Sequence, residues 1–411
     1  MLNWVQPFNI FCLLDNRQYH FEVPAFECLL AAGCSRKLEA TAGKTFEALK
    51  QFCATENDWL FGHLAYDLKN ETEQLSSLNF DGIGFPDCFF FVPELVLQLN
   101  ENVLQIFSHE DNAKEIFDAI NAQYISTEES RFPVPDIKSR ITEEDYISIV
   151  KKLQHHILRG DCYEINFCQE FYAENALIDP LTVYQSLVNV SPNPFSALYK
   201  LNDRYCICAS PERYFKKSGG NIFLQPIKGT AKRNLEDKDL DEQNRLQLST
   251  SEKEKSENVM VVDLVRNDLS RVCKQGSVKV DELFGIYSFP QVHQMISTIS
   301  GLLEEGIDWI DVVKATFPMG SMTGAPKKRV MEIIERYEHT RRGLFSGALG
   351  YINPQGDADF NVVIRSVLYN AGLKYISFQA GSAITFYSDP TEEYKECLLK
   401  AEMIKQVLES E

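Results

Sequence analysis

Two acidic pairs and one lysine are the residues whose types and spacing could do chemistry. Glu254 and Glu257 are three residues apart, Glu393 and Glu396 are three apart, and Lys400 lies four beyond Glu396. On a helix such spacings share one face. Carboxylates in that number suit a hard cation such as Mg2+, which takes one or two carboxylates directly and keeps several waters. Facing each other without a cation, the pairs would repel strongly. Glu-rich faces are otherwise ordinary solvated surface, and sequence alone does not set two helices face to face. Lys228, in "QPIKGTAKR" (225–233), ends the apolar run Ile222, Phe223, Leu224 and precedes Gly229 and Thr230. Lysines are usually exposed. As a reagent a lysine must be neutral, so burial or a neighbouring cation has to depress its pKa.

The elements that position these groups are legible from periodicity. In "STSEKEKSENVMVVDLVRNDLSRVC", Val259, Val262, Val265, Leu269 and Val272 recur at three or four residues, which predicts a helix carrying Glu254 and Glu257. "DPTEEYKECLLKAEMIKQVLE" predicts a closing helix with Asp389 as N-cap and Pro390 in its first turn. Its core stripe is Tyr394, Cys397, Leu398, Ala401 and Ile404, so the acidic face lies beside that stripe. A further helix starts at Thr142, where Glu143 to Asp145 load its positive end, and Pro326 suits the first position of another. Strand candidates include "FNIFCLLD", "FFFVPELVLQL", "CYEINFCQEFYAE", "RYCICASPERYF", "NIFLQPIKGT", "VHQMISTISGLL" and "KYISFQAGSAITF". Strands and helices alternate without regular βαβ spacing, which predicts an α+β fold with large antiparallel sheets. Residues 1–125 read as a β-rich region within the same fold, 126–141 as a Ser/Pro/charged connector, and 142–411 as the catalytic region.

Bulk properties narrow the class. The chain has 411 residues, 44% hydrophobic and 24% charged, as in globular proteins. A net charge of −18 makes nucleic acid and anionic membranes poor partners, and an anionic substrate would need local positive charge. The 11 cysteines are scattered, with no zinc spacing, and read as reduced thiols. No apolar run approaches the roughly 20 residues of a membrane span, and the N-terminus lacks a basic signal-peptide region, so the cytoplasm is expected. "GSMTGAPKK" lacks the Gly-Lys-Ser/Thr ending of a phosphate loop.

In order, "SPERY" (210–214), "PIKGTAKR" (226–233), "SENVMVVDLVRNDLSRV" (256–272), "VHQMISTI" (292–299), "GSMTGAPKKRVMEII" (320–334), "ALGYI", "VVIRS" and "EEYKE" resemble the chorismate-utilising enzymes. The match is dense over about 142–411 and looser before 125, through "FGHLAYDL" and "FPDCFFFVPE". The resemblance implies a large two-sheet antiparallel β-sandwich flanked by helices. It implies Mg2+ at the ring carboxylate of chorismate, with Glu257 and Glu396 as direct ligands and Glu254 and Glu393 as a second, water-mediated pair. It implies Arg365 and Lys400 at the enolpyruvyl carboxylate, as a fork and a point charge. Backbone amides at Gly229, Thr230 and Gly381 are further donors by the same resemblance. Ser321 stands where relatives often have Thr. Glu212 matches the proposed general acid, and His293 matches a helper near the hydroxyl that leaves.

Members that make anthranilate carry Ala at the position of Lys228, whereas those that aminate the para carbon carry Lys. The resemblance therefore implies that Lys228 attacks the ring carbon ortho to the carboxylate-bearing carbon. The para hydroxyl leaves as the double bonds shift, and ammonia then attacks the para carbon and expels the lysine from the ortho carbon, giving 4-amino-4-deoxychorismate, a precursor of 4-aminobenzoate and folate. No glutaminase nucleophile motif is visible, so nitrogen is expected from a glutamine amidotransferase subunit or from free ammonium. The competing readings are an anthranilate-forming member and a non-catalytic chorismate binder. Lys228 stands against the first; intact Glu257, Glu396, Arg365 and Lys400 stand against the second. Several positions depart from the family pattern. Glu164 replaces the Lys of water-adding members and the usual Gln of amine-adding ones, which speaks against water addition. Phe345 stands where several relatives have a donor Tyr, and Ala383 where many have a second Gly. "FECLLAAG" lacks the serine used for tryptophan feedback, so no tryptophan inhibition is expected.

Overall fold

Strand alternation sorts the apolar side chains into two cores. Along the strand Ile10–Asp15, Ile10 and Cys12 enter one core while Phe11 and Leu13 enter the other; along Arg204–Ser210, Cys206 and Cys208 part from Ile207 and Ala209 in the same way. The sheet holding these strands is therefore covered on both faces. One face meets the second sheet. The other meets the helices Glu143–Leu158, Pro180–Val190 and Pro390–Glu409. The computed structural model describes residues 1–19, 26–55, 57–108, 110–123 and 132–410. Among them, one sheet has 11 strands and the other 10, with antiparallel ladders, as the sequence predicts. Residues 126–131 of the predicted connector lie outside the described residues.

Strands from the first 125 residues enter both sheets. Ile10–Asp15 pairs with Phe195–Leu201, and Leu60–Leu64 pairs with Ala348–Ile352. Phe90, Phe215, Phe360 and Trp309 form an aromatic cluster on the second sheet, with Phe215 and Trp309 stacked on Phe360 at 5.2 and 5.9 Å. All 11 cysteines are free. Among the described residues, no helix is long and apolar enough to cross a membrane.

The helix signals hold at most termini. Thr142 accepts a hydrogen bond from the Asp145 amide, and Asp389 caps its helix with Pro390 first. Pro326 is itself the N-cap, one place earlier than expected. Val259 is 40% exposed; the buried face of Glu252–Leu269 runs through Glu257, Asn258, Val261, Val262, Val265 and Leu269. Among the elements missing from the sequence reading are the helices Lys238–Thr250 and Trp309–Thr316 and the strand Lys279–Ser288. The first of these helices buries Leu248 alone, so it has no apolar stripe to detect.

Two edges matter for the site. Ile227–Lys232 is the last strand of the second sheet, beside Val292–Leu302. Glu164–Ala173 lies one strand from the end of the first sheet, between Tyr375–Ile384 and the short Gly324–Ala325. Phe360 is fully buried in the aromatic cluster. Phe360→Ala should cost about 3–5 kcal/mol in denaturant-unfolding experiments, through lost transfer energy and an unfilled cavity. A loss under about 1 kcal/mol would show that this cluster does not support the second sheet.

Candidate active site

The ladder between Ile227–Lys232 and Val292–Leu302 slips between Ile227 and Thr230, which leaves Lys228 and Gly229 in a bulge. Bulges re-aim a side chain. Gly229 has φ +89°, and a Cβ there would meet Glu254 Oε2 at 2.9 Å and Leu248 Cδ1 at 3.0 Å, so the turn requires glycine. Lys228 is directed inward, with 8% exposure. Its Nζ donates to Glu164 Oε1 at 2.7 Å, and Glu164 is 3% exposed.

Burial pushes the Lys228 ammonium towards neutrality, but Glu164, Glu257 and Glu212 oppose it and the net shift is upward. Among the protein's own groups the carboxylates outweigh burial and favour the ammonium form of Lys228.

Glu212 sits where the chain passes from Ser210, the end of a first-sheet strand, to Arg213, the start of a second-sheet strand. Arg213 anchors that crossing on Asp359 at 2.9 Å. Glu212 is buried and accepts a hydrogen bond from Ser321 Oγ at 2.7 Å. Burial raises its pKa to about 7, against the lowering effects of Ser321 and Lys228. A carboxyl poised there can donate a proton near neutral pH.

The two glutamate helices do face each other. Lys253 bridges from Glu252–Leu269 to Glu393 on Pro390–Glu409 at 3.6 Å, and Lys400 pairs with Glu396 at 2.7 Å. Burial, opposed by Lys228, raises Glu257 to about 7 and also raises Glu254; Glu396 is lowered despite its burial because Lys400 holds it. Among the described residues no group of three or more His, Cys, Asp or Glu side chains is gathered to hold a metal ion. Lysines take up part of the charge instead. Yet Glu257 Oε1 and Glu393 Oε2 are buried without a hydrogen-bond partner, and unpaired buried carboxylate oxygens are the donors a hard cation takes.

Arg365 has left-handed backbone, φ 51°, and among the described residues its guanidinium has no hydrogen bond or ion pair. Burial lowers its pKa, with only the charge of Glu396 opposing. A cation placed this way lacks the anion that a carboxylate would supply. Lys400 donates to the Gly381 carbonyl at 2.9 Å. Gly381 lies opposite Cys168 in the ladder, where a Cβ would collide with the Phe167 carbonyl, so close strand packing already accounts for this glycine. Thr230 is exposed and lies opposite Gln294.

His293 is buried with both ring nitrogens engaged, Nδ1 with Ser288 Oγ at 2.8 Å and Nε2 with Asp241 at 3.1 Å; its recorded partners do not include Lys228 or Glu212. Asp241 also takes a two-pronged hold from Arg233 and was not singled out in the sequence, because its helix buries only Leu248 and shows no apolar stripe. Asn258 was missed as well; it accepts a hydrogen bond from Ser297 on Val292–Leu302 at 2.6 Å and so ties the acidic helix to the strand beside Lys228. Its place between the glutamate and the valine stripe was the available signal. Phe345 is buried. A separate cavity, lined by Leu14, Phe26, Pro194, Phe195 and Tyr351, involves none of the predicted site residues.

Residues 9–406 match the family described as chorismate binding enzyme. The chain is similar to aminodeoxychorismate synthase component 1 of Escherichia coli (strain K12), with 35% identity over 351 residues, covering 85% of this chain and 76% of that one. It is also similar to anthranilate synthase component 1 of Aquifex aeolicus (strain VF5), with 33% identity over 373 residues, covering 85% and 74%. In fold it resembles the crystal structure of anthranilate synthase component I from Streptococcus pneumoniae TIGR4, with TM-score 0.82, 24% identity and 94% of each chain covered.

The raised pKa of Glu257 carries a stability consequence. The unfolded carboxyl ionises near 4.5 and the folded one near 7, so stability falls as pH rises through that window. In chelator, Glu257→Gln should therefore match the parent chain at pH 4.5 and exceed it by about 1–3 kcal/mol above pH 7. Thermal melts at the two pH values check this; equal stabilities at pH 8 would contradict it.

Proposed function

The chain belongs to the chorismate binding enzyme family, and on that premise we propose that it aminates chorismate at the para carbon, as an aminodeoxychorismate synthase does. One observation carries this reading. Lys228 leaves the sheet ladder at a bulge and enters a buried site with Glu212 close enough to act on its charge. An anthranilate-forming enzyme has no use for an amine at that place.

In the proposed reaction, the neutral Lys228 amine bonds to the ring carbon ortho to the carboxylate-bearing carbon. The double bonds shift and the para C–O bond breaks. Glu212, protonated near neutral pH, donates its proton so that the hydroxyl leaves as water. Ammonia then bonds to the para carbon, the double bonds shift back, and the lysine nitrogen leaves as a free amine. The proton shed by the incoming nitrogen restores Glu212. Arg365, unpaired by the protein, and Lys400 bind the enolpyruvyl carboxylate and fix the ring against Lys228. The implied Mg2+ would be held by Glu257 and Glu396, with Glu254 and Glu393 behind water, and would neutralise the ring carboxylate in an otherwise acidic site. A glutamine amidotransferase subunit would supply the ammonia.

Incubation with chorismate, Mg2+ and ammonium should yield 4-aminobenzoate when an aminodeoxychorismate lyase is added, and no fluorescent anthranilate without it. Anthranilate, or a hydroxylated ring product, would overturn the reading. Lys228→Ala should lower 4-aminobenzoate formation by about 10²-fold or more. Parent-like rates in that variant would remove the covalent step.

A further inference from the structure

Among the described residues Glu164 is the one carboxylate in hydrogen-bond contact with the Lys228 ammonium, at 2.7 Å, and both side chains are buried. Other acidic groups surround the lysine without touching it: Glu257 and Glu254 from the helix Glu252–Leu269, and Glu212 at the crossing between sheets. Glu212 is committed to Ser321 and to the leaving hydroxyl. Glu257 and Glu254 belong to the glutamate set assigned to the cation.

The Glu164 backbone is fixed on both sides. Its carbonyl packs where a Cβ of Gly324 (φ +141°) would stand, the Tyr163 amide donates to the Ala325 carbonyl at 2.8 Å, and Gly324–Ala325 pairs with Ile165 and Glu164. The backbone that carries the carboxylate is thus held by the sheet, and the carboxylate itself meets Lys228.

Resting on the amination reading above, we propose that Glu164 is the proton acceptor that turns the Lys228 ammonium into the attacking amine. Transfer across this hydrogen bond converts ammonium and carboxylate into amine and carboxylic acid with no change in net charge. Desolvation disfavours the charged form of both partners. As substrate expels water, the ion pair loses ground to the neutral pair, whereas release of the proton to solvent would leave an uncompensated carboxylate. The protons balance over the cycle. Glu164 takes one from Lys228 before attack; the adduct nitrogen stays a protonated secondary amine, and so leaves as a neutral amine; Glu164 returns its proton to that amine once product has formed. A glutamine at this place can accept the lysine hydrogen bond but cannot carry the proton.

The test uses the full chain with chorismate, Mg2+ and ammonium at constant free ammonia, coupled to the lyase, from pH 6 to 10. Glu164→Gln keeps a hydrogen-bond acceptor for Lys228, so its KM for chorismate should stay within about threefold, whereas its melting temperature should fall because the buried ammonium loses its compensating charge. Its kcat at pH 7 should fall by about 10²-fold. The loss should shrink as pH approaches the ordinary lysine value of about 10.4. Glu164→Ala, which also loses the hydrogen bond, should add a rise in KM. A Glu164→Gln profile that superimposes on the parent profile would overturn the proposal, as would a loss of equal size at every pH. If the parent chain itself forms no 4-aminobenzoate at any pH, the amination reading fails and this assignment fails with it. Those outcomes are separable, because the first two leave the parent activity intact.

Discussion

A buried ammonium against a buried carboxylate sets the conditions for the rest of this site. Two opposite charges taken out of water are favourable only with good geometry, and removing one partner leaves the other uncompensated. The Lys228–Glu164 contact meets that condition by joining the two sheets, one residue coming from the bulged edge strand and the other from a strand near the end of the first sheet. It also explains why the amine is not free at rest. The same reasoning covers the neighbours. Glu212 and Glu257 answer burial by moving their pKa to about 7, while Glu396 and Glu393 are met by Lys400 and Lys253. Among the described residues Arg365 has no hydrogen bond or ion pair, and only the charge of Glu396 acts to hold it ionised.

Binding a dianion to a chain of net charge −18 therefore rests on local arrangement. Three basic residues, Arg365, Lys400 and Lys253, stand close to the acidic helices. Among the described residues Glu257 Oε1 and Glu393 Oε2 have no hydrogen-bond partner, so these oxygens are free to act as donors to a cation.

Much of this was legible in the sequence. The valine stripe announced the helix that carries Glu254 and Glu257, and Asp389 with Pro390 announced the one that carries Glu393 and Glu396. Antiparallel sheets followed from strand alternation. What was not legible has physical causes. Periodicity reports which face of a helix is apolar, not what that face meets, so Glu164 could be read only by what it replaces. Its contact with Lys228 joins residues 64 apart in sequence. Asp241 lies on a helix that buries a single leucine, so no stripe marked it. Burial of Lys228 is outweighed by the three carboxylates that the fold brings around it, which the sequence did not show, so burial by itself does not depress its pKa. Gly381 shows the reverse case, since strand packing accounts for a residue assigned to binding.

The central claim is that the Lys228 nitrogen bonds to the ring during turnover. Rapid quenching of the enzyme with chorismate and Mg2+ in the absence of ammonia, followed by proteolysis and peptide mass spectrometry, tests it most directly. The account predicts that the peptide bearing Lys228 gains the mass of chorismate less one water, and that added ammonia discharges it. An unmodified Lys228 peptide under conditions where the enzyme turns over, or the same mass on another residue, would contradict it.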